Sequence, residues 1–238
     1  MHLLQLDSRH RQNDTHDPGR SLFDLACSIP NCKSIELVSA SIPTSYYTIA
    51  PGRNTFILTT SLASSTITIA PAIYTMASLA TIITGTVSLS NFAVTASTSS
   101  LKLTFSYNGA FTIQIPGEQM ASVLGLPQGM VHSSSGNALT SINACELSPP
   151  VINITSNAIG PCYMAGTGRE LPPTFCVPVD VDSGSMINWN YENQFRQKKQ
   201  YHSDPRDLQQ IDITLRDQFG VVLDMNGMNY TLILRIEQ

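Results

Sequence analysis

The chain predicts an all-β sandwich, and three observations carry that prediction. Ile211, Ile213 and Leu215 alternate strictly with Asp212, Thr214 and Arg216, the period of a strand with one dry and one wet face. Tyr230, Leu232, Leu234 and Ile236 alternate in the same way with Thr231, Ile233, Arg235 and Glu237. Similar short runs recur along the chain, set apart by Gly, Asn, Asp and Pro rather than by long amphipathic stretches. A strand that buries one whole face needs a second sheet to cover it, which makes a sandwich of the set.

Taken in order, residues 1–20 hold Asp7, Arg9, Arg11, Asp14, Asp17 and Arg20 with few apolar side chains after Leu6, too little to build a core. Residues 1–24 are therefore expected to form an extended N-terminal arm and residues 25–238 a single domain. Residues 34–42 read as the first core strand, stopped by Pro43, with Tyr46 and Tyr47 opening a second extended piece. Residues 54–60 and 64–70 read as a hairpin. The period then changes, and residues 74–84 predict a short helix with Thr75 as N-cap, Ala77, Ala80 and Ile83 on one stripe and Gly85 beyond its end. A second short helix is expected over 118–124, closed by Gly125. Between the helices lie a strand over 87–95 and a hairpin over 101–115 turning at Asn108-Gly109. Residues 127–150, rich in Ser, Gly and Asn, read as a long surface excursion. Strands follow over 151–156, 175–181 and 186–191, then a charged loop over 194–207. Asp217 to Gly220 and Asn226-Gly227 supply turns that make the last two strands read as a pair.

Composition narrows the function. Charged residues are 13% of the chain, about half the usual share for a soluble domain. Between Arg53 and Lys102 there is none, so part of that neutral region is expected to meet another subunit rather than water. The formal net charge of −4 offers no electrostatic case for nucleic acid. No apolar run reaches the roughly 18 residues that span a bilayer, and the first residues lack a signal-peptide core, so synthesis in the cytosol is expected. Cys27, Cys32, Cys145, Cys162 and Cys176 are odd in number and form no C-x-x-C pair, which favours free thiols over zinc or a disulfide framework.

No catalytic constellation emerges. Asp180 to Gly184 has its glycine one place early for a calcium loop and lacks the closing glutamate, so it reads as a turn. Ser99 and Lys102 match S-x-x-K without the helix that pair requires. Gly166-Thr167-Gly168 meets Leu171 where a dinucleotide loop needs a third glycine. His2, His10 and His16 are spaced for a solvated arm rather than a metal, and His132 and His202 lack the histidine neighbours a cupin enzyme would need. Asn153-Ile154-Thr155 and Asn229-Tyr230-Thr231 fit the glycosylation triplet inside expected strands and read as unmodified. Trp189 reads as core. The expectation is no enzyme, no cofactor and no metal.

The last block, IDITLRDQFG, VVLDMNG and NYTLILRIE, resembles the C-terminal block of single jelly-roll penton and minor capsid proteins of double-stranded DNA viruses whose major capsid protein is a double jelly roll, the virophage, polinton-like and large eukaryotic virus lineage. LQLDSRHRQ near the start is similar to their short arm motif, and TITIAPAIYTMASLATII to their strand-then-helix segment. The resemblance implies a single jelly roll with one or two short helices in connections. It also implies a structural capsid protein of the virion: a penton forming homopentamers at icosahedral vertices and contacting the major capsid protein, or an internal minor capsid protein. In that setting Leu3, Leu4 and Leu6 would anchor the arm on neighbouring capsid proteins while Asp7, Arg9 and Arg11 make charge-assisted contacts. A secreted jelly-roll ligand or lectin is the competing reading, disfavoured by the missing signal peptide and unpaired cysteines.

Overall fold

The structure, a computed structural model, describes residues 1–12, 19–160, 174–192, 196–201 and 205–238. Its residues divide into two compact units. Unit 1 comprises Met1–Tyr46 and Pro149–Gln238, and unit 2 is Tyr47–Ser148. The expected domain at 25–238 therefore contains two hydrophobic cores. Alternation marks a side chain for burial but carries no information on which core receives it.

Unit 1 opens with β1 (His2–Asp7), β2 (Arg20–Cys32) and β3 (Ser34–Pro43). Unit 2 follows with β4 (Thr55–Thr60), β5 (Ser64–Thr68), helix α1 (Met76–Thr86), β6 (Ala93–Ser97), β7 (Lys102–Ser106), β8 (Phe111–Gln114), helix α2 (Glu118–Leu124), β9 (Val131–Ser133) and β10 (Ala138–Thr140). The chain returns to unit 1 as β11 (Val151–Thr155), β12 (Phe175–Pro178), β13 (Met186–Asn190), β14 (Gln197–Gln200), β15 (Arg206–Arg216) and β16 (Thr231–Glu237).

One sheet of unit 1 runs β1-β16-β3-β13, with β14 also paired to β3, and the other runs β12-β11-β15-β2, every pair antiparallel. β13 lies against the second half of β3 and β14 against its first half, so the two fill one strand position. Counted that way, the strands in chain order take the sheet orders 1-8-3-6 and 5-4-7-2. This is the jelly-roll arrangement of two interlocked Greek keys, and unit 2 is inserted in the connection between its third and fourth strands. The core between the sheets includes Ile35, Leu37, Ile42, Ile152, Ile154, Phe175, Ile211, Ile213, Leu215, Leu232, Leu234 and Ile236, all essentially inaccessible to water. Trp189 joins them, as its sequence neighbourhood predicts.

A bulge at Val38 shows the sequence setting this register. Ser39 faces Ile233 while Leu37 faces the next residue, Leu234, so Val38 is the extra residue. The inward set accordingly switches from Ile35 and Leu37 to Ala40 and Ile42, and Tyr191 N–H bonds the displaced Val38 carbonyl at 3.0 Å.

Several expected pairings are corrected. β15 and β16 are not partners: each lies at an interior position of a different sheet, and the Asp217 turn delivers the chain across the sandwich. Asp217 Oδ1 accepts from the backbone N–H of Phe219 and Val221, both at 2.8 Å, which makes that turn tight. β7 and β8 likewise pair with other strands, so Asn108-Gly109 is a corner between sheets, and neither residue has the positive φ that a two-residue hairpin demands. A pair that does have it is Gly136 (φ 59) and Asn137 (φ 68), inside the expected surface excursion, where Ser135 and Ala138 close a two-residue turn between β9 and β10. The charged loop contains β14 and the first residues of β15. Residues 46–47 form no strand, and the strand expected over 87–95 begins at Ala93. The β4–β5 hairpin pairs as expected, from Thr55↔Thr68 to Thr59↔Ser64.

In unit 2 the sheets β5-β4-β8-β9 and β10-β7-β6 enclose Phe56, Leu58, Leu103, Phe105, Phe111 and Ile113. Helix α1 starts where the sequence places it: Thr75 Oγ1 accepts from Ser78 N–H and Ser78 Oγ from Thr75 N–H, a capping box. It runs through Gly85 to Thr86 and buries Met76, Leu79, Ala80 and Ile83, leaving Ala77 in water. Helix α2 ends at Gly125 in the left-handed conformation, where a Cβ would collide with the Asn143 carbonyl.

Candidate assembly interface

The expected arm is a strand. β1 pairs with β16 from His2↔Ile236 to Asp7↔Thr231, so it forms the outer edge of its sheet. Leu6 is 2% exposed and belongs to the unit 1 core, Leu4 packs partly against it, and Leu3 points outward at 65% exposure. Asp7, 8% exposed, accepts from Arg9 backbone N–H and Nε, both at 3.0 Å, and its carboxyl is held below the ordinary range chiefly by that guanidinium. Arg11 donates to the Ser8 carbonyl at 2.7 Å and to Asn229 Oδ1 at 3.2 Å, while Ser8 and Tyr230 bond through backbone and hydroxyl. Leu6, Asp7 and Arg11 thus serve the subunit's own fold, whereas Leu3 and the Arg9 side chain remain at the surface. The sequence reading counted few apolar side chains after Leu6, but Leu6, with Leu4 partly packed beside it, needs only to complete a core already built by β3 and β16.

Beside β1 lies a groove of about 620 Å3, walled by β1 on one side and by β2, the outer strand of the opposite sheet, on the other. Its lining includes Leu3, Leu4, Leu6, Phe23, Leu25 and Ile29. The β2 wall is irregular: between Asp24↔Gln210 and Ile29↔Leu208 four β2 residues oppose one residue of β15, so Leu25, Ala26, Cys27 and Ser28 bulge from the ladder.

On β3 the structure brings together a charged cluster that the sequence reading overlooked. Glu36 is 1% exposed yet lies between two arginines: Arg196 Nη2 donates to Oε2 at 3.0 Å and Arg235 Nη1 to the same oxygen at 2.9 Å. Arg235 also stacks over the Tyr191 ring, 4.9 Å from its centroid. The Arg196 hydrogen bond is the main cause holding the Glu36 carboxyl below its ordinary range, against the opposing effect of burial. Next to it Lys198 Nζ bonds Glu237 at 2.7 Å, lowering that carboxyl too, and Ser34 donates to the same oxygen. Together these contacts pin β14 to β3. The signal was a lone glutamate inside the apolar run Ile35–Leu37, a position a charge occupies only when paired.

Unit 2 is the opposite case. It carries only Arg53, Lys102, Glu118 and Glu146 as charged residues, and Lys102 Nζ is engaged with the Ile142 carbonyl at 2.8 Å rather than with Ser99. Its surface includes Leu62 (80% exposed), Ile73, Leu101, Met130, Val131 and Ile142.

Among the described residues no group of three His, Cys, Asp or Glu side chains is placed to hold a metal. Cys27, Cys32 and Cys145 are free thiols, Cys176 Sγ donates to Asn153 Oδ1 at 3.3 Å, and burial pushes the Cys32 and Cys145 thiols up. The Asp180 to Gly184 segment is a turn against Thr44, whose hydroxyl donates to the Asp182 carbonyl at 2.7 Å. Both glycosylation-type asparagines are engaged: Asn153 donates to the Asp217 carbonyl and Asn229 accepts from Ser8 and Arg11. Asp14, His16, Asp17, Cys162, Gly166, Thr167, Gly168, Leu171 and His202 lie outside the described residues.

Over 100% of its length the chain superposes on 99% of the crystal structure of the mavirus penton protein, with a TM-score of 0.55 and 10% sequence identity. The two share a fold. No family model and no curated protein matches the sequence. The fold read from the sequence, an all-β jelly roll with one or two short helices, is thus the observed one, and the structural likeness covers the inserted unit as well as the jelly roll.

Proposed function

We propose that the chain is a structural capsid subunit: a penton protein that closes icosahedral vertices as a homopentamer and contacts the major capsid protein. The observation that carries this reading is the fold shared over the whole chain with the mavirus penton protein. The surface supports it. Subunits repeated around an axis must desolvate their flanks, and the neutral, Ser- and Thr-rich stretch 54–101 can be desolvated at lower cost than a charged one. Exposed Leu3 and Arg9, at the edge of the jelly roll, supply contacts to neighbouring capsid proteins, with Leu4, Leu6, Asp7 and Arg11 holding that edge in place. No catalytic step is assigned. Mass measurement of the purified protein and of vertices released from virions tests the proposal: a five-copy species in the virion is expected, and a protein absent from particles, or present there as a monomer or trimer, overturns it.

A further inference from the structure

The groove between β1 and β2 has a backbone chemistry that its side chains alone do not reveal. Ser8 N–H donates to Tyr230 O, which makes Ser8 and Tyr230 a hydrogen-bonded pair in the register of β1 and β16. Hydrogen-bonded and non-bonded pairs alternate in an antiparallel ladder. His2, Leu4 and Leu6 therefore turn their backbone groups toward β16, and the N–H and C=O groups of Leu3, Gln5 and Asp7 project from the other edge, which no described strand pairs. That edge is one wall of the groove. No proline, bulge or lysine guards it, whereas proteins that keep an edge strand unpaired commonly protect it with such features. The opposite wall is apolar and bulged, with Leu25, Ala26 and Ile29 facing the space.

The groove also carries a charge that no described cation pairs. Asp7 is matched by Arg9, but Asp24, whose Oδ1 accepts only from Gln210 Nε2 at 2.6 Å, has no cation within ion-pair distance among the described residues. We propose that this groove takes an extended segment of a neighbouring capsid polypeptide as an added strand on β1, with apolar side chains at alternate positions packed between the sheets and a lysine or arginine opposite Asp24. Strand addition supplies affinity through main-chain bonds and specificity through alternate side-chain pockets, and the open edge and apolar lining among the described residues match those two requirements, with Asp24 adding a preference for a cation. The neighbour's being a capsid protein rests on the proposed function; the strand-docking chemistry does not.

The test uses the full chain and a fluorescein-labelled, end-blocked heptapeptide with valine at alternate positions, lysine beside the central one and threonine elsewhere. The wild-type protein is expected to bind it with slowed amide exchange at Leu3, Gln5 and Asp7. Gln5→Pro removes an N–H that the sheet does not use, a substitution edge strands tolerate, and Ala26→Trp fills the groove from an exposed position. Both variants are expected to keep the wild-type thermal midpoint and to bind at least about tenfold more weakly. Exchanging the peptide's lysine for glutamate is expected to weaken binding as well. Absence of binding, unchanged affinity in both variants, or unprotected β1 amides overturns the inference. So does protein-concentration-dependent protection of those amides without peptide, which would give the edge to a second copy. Because the readout uses purified protein outside the particle, a negative result leaves the capsid proposal standing, and absence of the protein from virions leaves a positive one standing.

Discussion

The two units solve the same problem, enclosing an apolar core with antiparallel strands, with opposite surfaces. Unit 2 spends four charged residues on its whole length, two bases and two acids, and leaves six large apolar side chains at its surface. Unit 1 holds the remaining eleven bases and fifteen acids, arranges the described pairs Asp7–Arg9, Glu36–Arg196, Glu36–Arg235 and Lys198–Glu237, and takes on the cost of a buried carboxylate. The lesson is that surface chemistry follows what must cover it. On the proposed reading, a unit that stays in water carries charge, while one that meets neighbours carries hydroxyls and apolar side chains, which cost less to desolvate than ions.

The sharpest way to separate the units is to damage one core. Phe105→Ala empties a fully buried site of unit 2 and should cost about 4 kcal/mol. Amide exchange is expected to accelerate throughout β6, β7 and β10 while β16 stays protected; equal loss in β16 would mean that the units fold as one. Glu36→Ala strikes the corresponding point of unit 1 by removing the carboxylate that two partly exposed arginines share, and should cost about 2 kcal/mol. Its signature is faster exchange across Gln197–Gln200, the strand that the cluster pins to β3.

Acid should discriminate between them as well. The Asp7, Glu36 and Glu237 carboxyls are all lowered in the folded protein, and all lie in unit 1. A group whose folded pKa is depressed contributes stability above its unfolded pKa and loses it as pH falls through the folded value. Unit 1 is therefore expected to weaken progressively below about pH 4.3, with unit 2 changing little. Trp189, the only tryptophan and part of the unit 1 core, reports that transition by fluorescence; a flat Trp189 thermal midpoint from pH 5 to pH 3 would contradict it. The smallest effect belongs to the partly exposed Lys198–Glu237 pair, where Lys198→Ala should cost under about 1 kcal/mol, and less in high salt.

What the sequence disclosed was local. Thr75 announced α1 and Gly125 ended α2 because caps are read from neighbours a few residues away. The alternation of Ile211, Ile213, Leu215 and of Leu232, Leu234, Ile236 identified inner faces correctly. Partner choice was not legible: β15 with β16 and β7 with β8 are neighbours in sequence whose inner faces meet across a core instead of side by side in a sheet, and period-2 patterning is identical in both cases. Asn108-Gly109 misled because turn chemistry permits a hairpin without requiring one. The groove was half visible, since Leu3, Leu4, Leu6 and Asp7 stood out while their other wall, Phe23 to Ile29, lies across a connection of no fixed length in the pattern.

The account rests on the neutral unit being an assembly surface, and one substitution tests that directly. Ser65 sits exposed on β5, the uncharged edge strand of unit 2, where a lysine does not disturb the core. Native mass spectrometry should show wild-type protein as a pentamer and Ser65→Lys as a monomer that keeps the wild-type circular-dichroism spectrum, because a buried, unpaired charge at each contact costs several kcal/mol. A pentamer that forms equally well with Ser65→Lys and with further lysines at Thr66 and Thr68 would contradict the account.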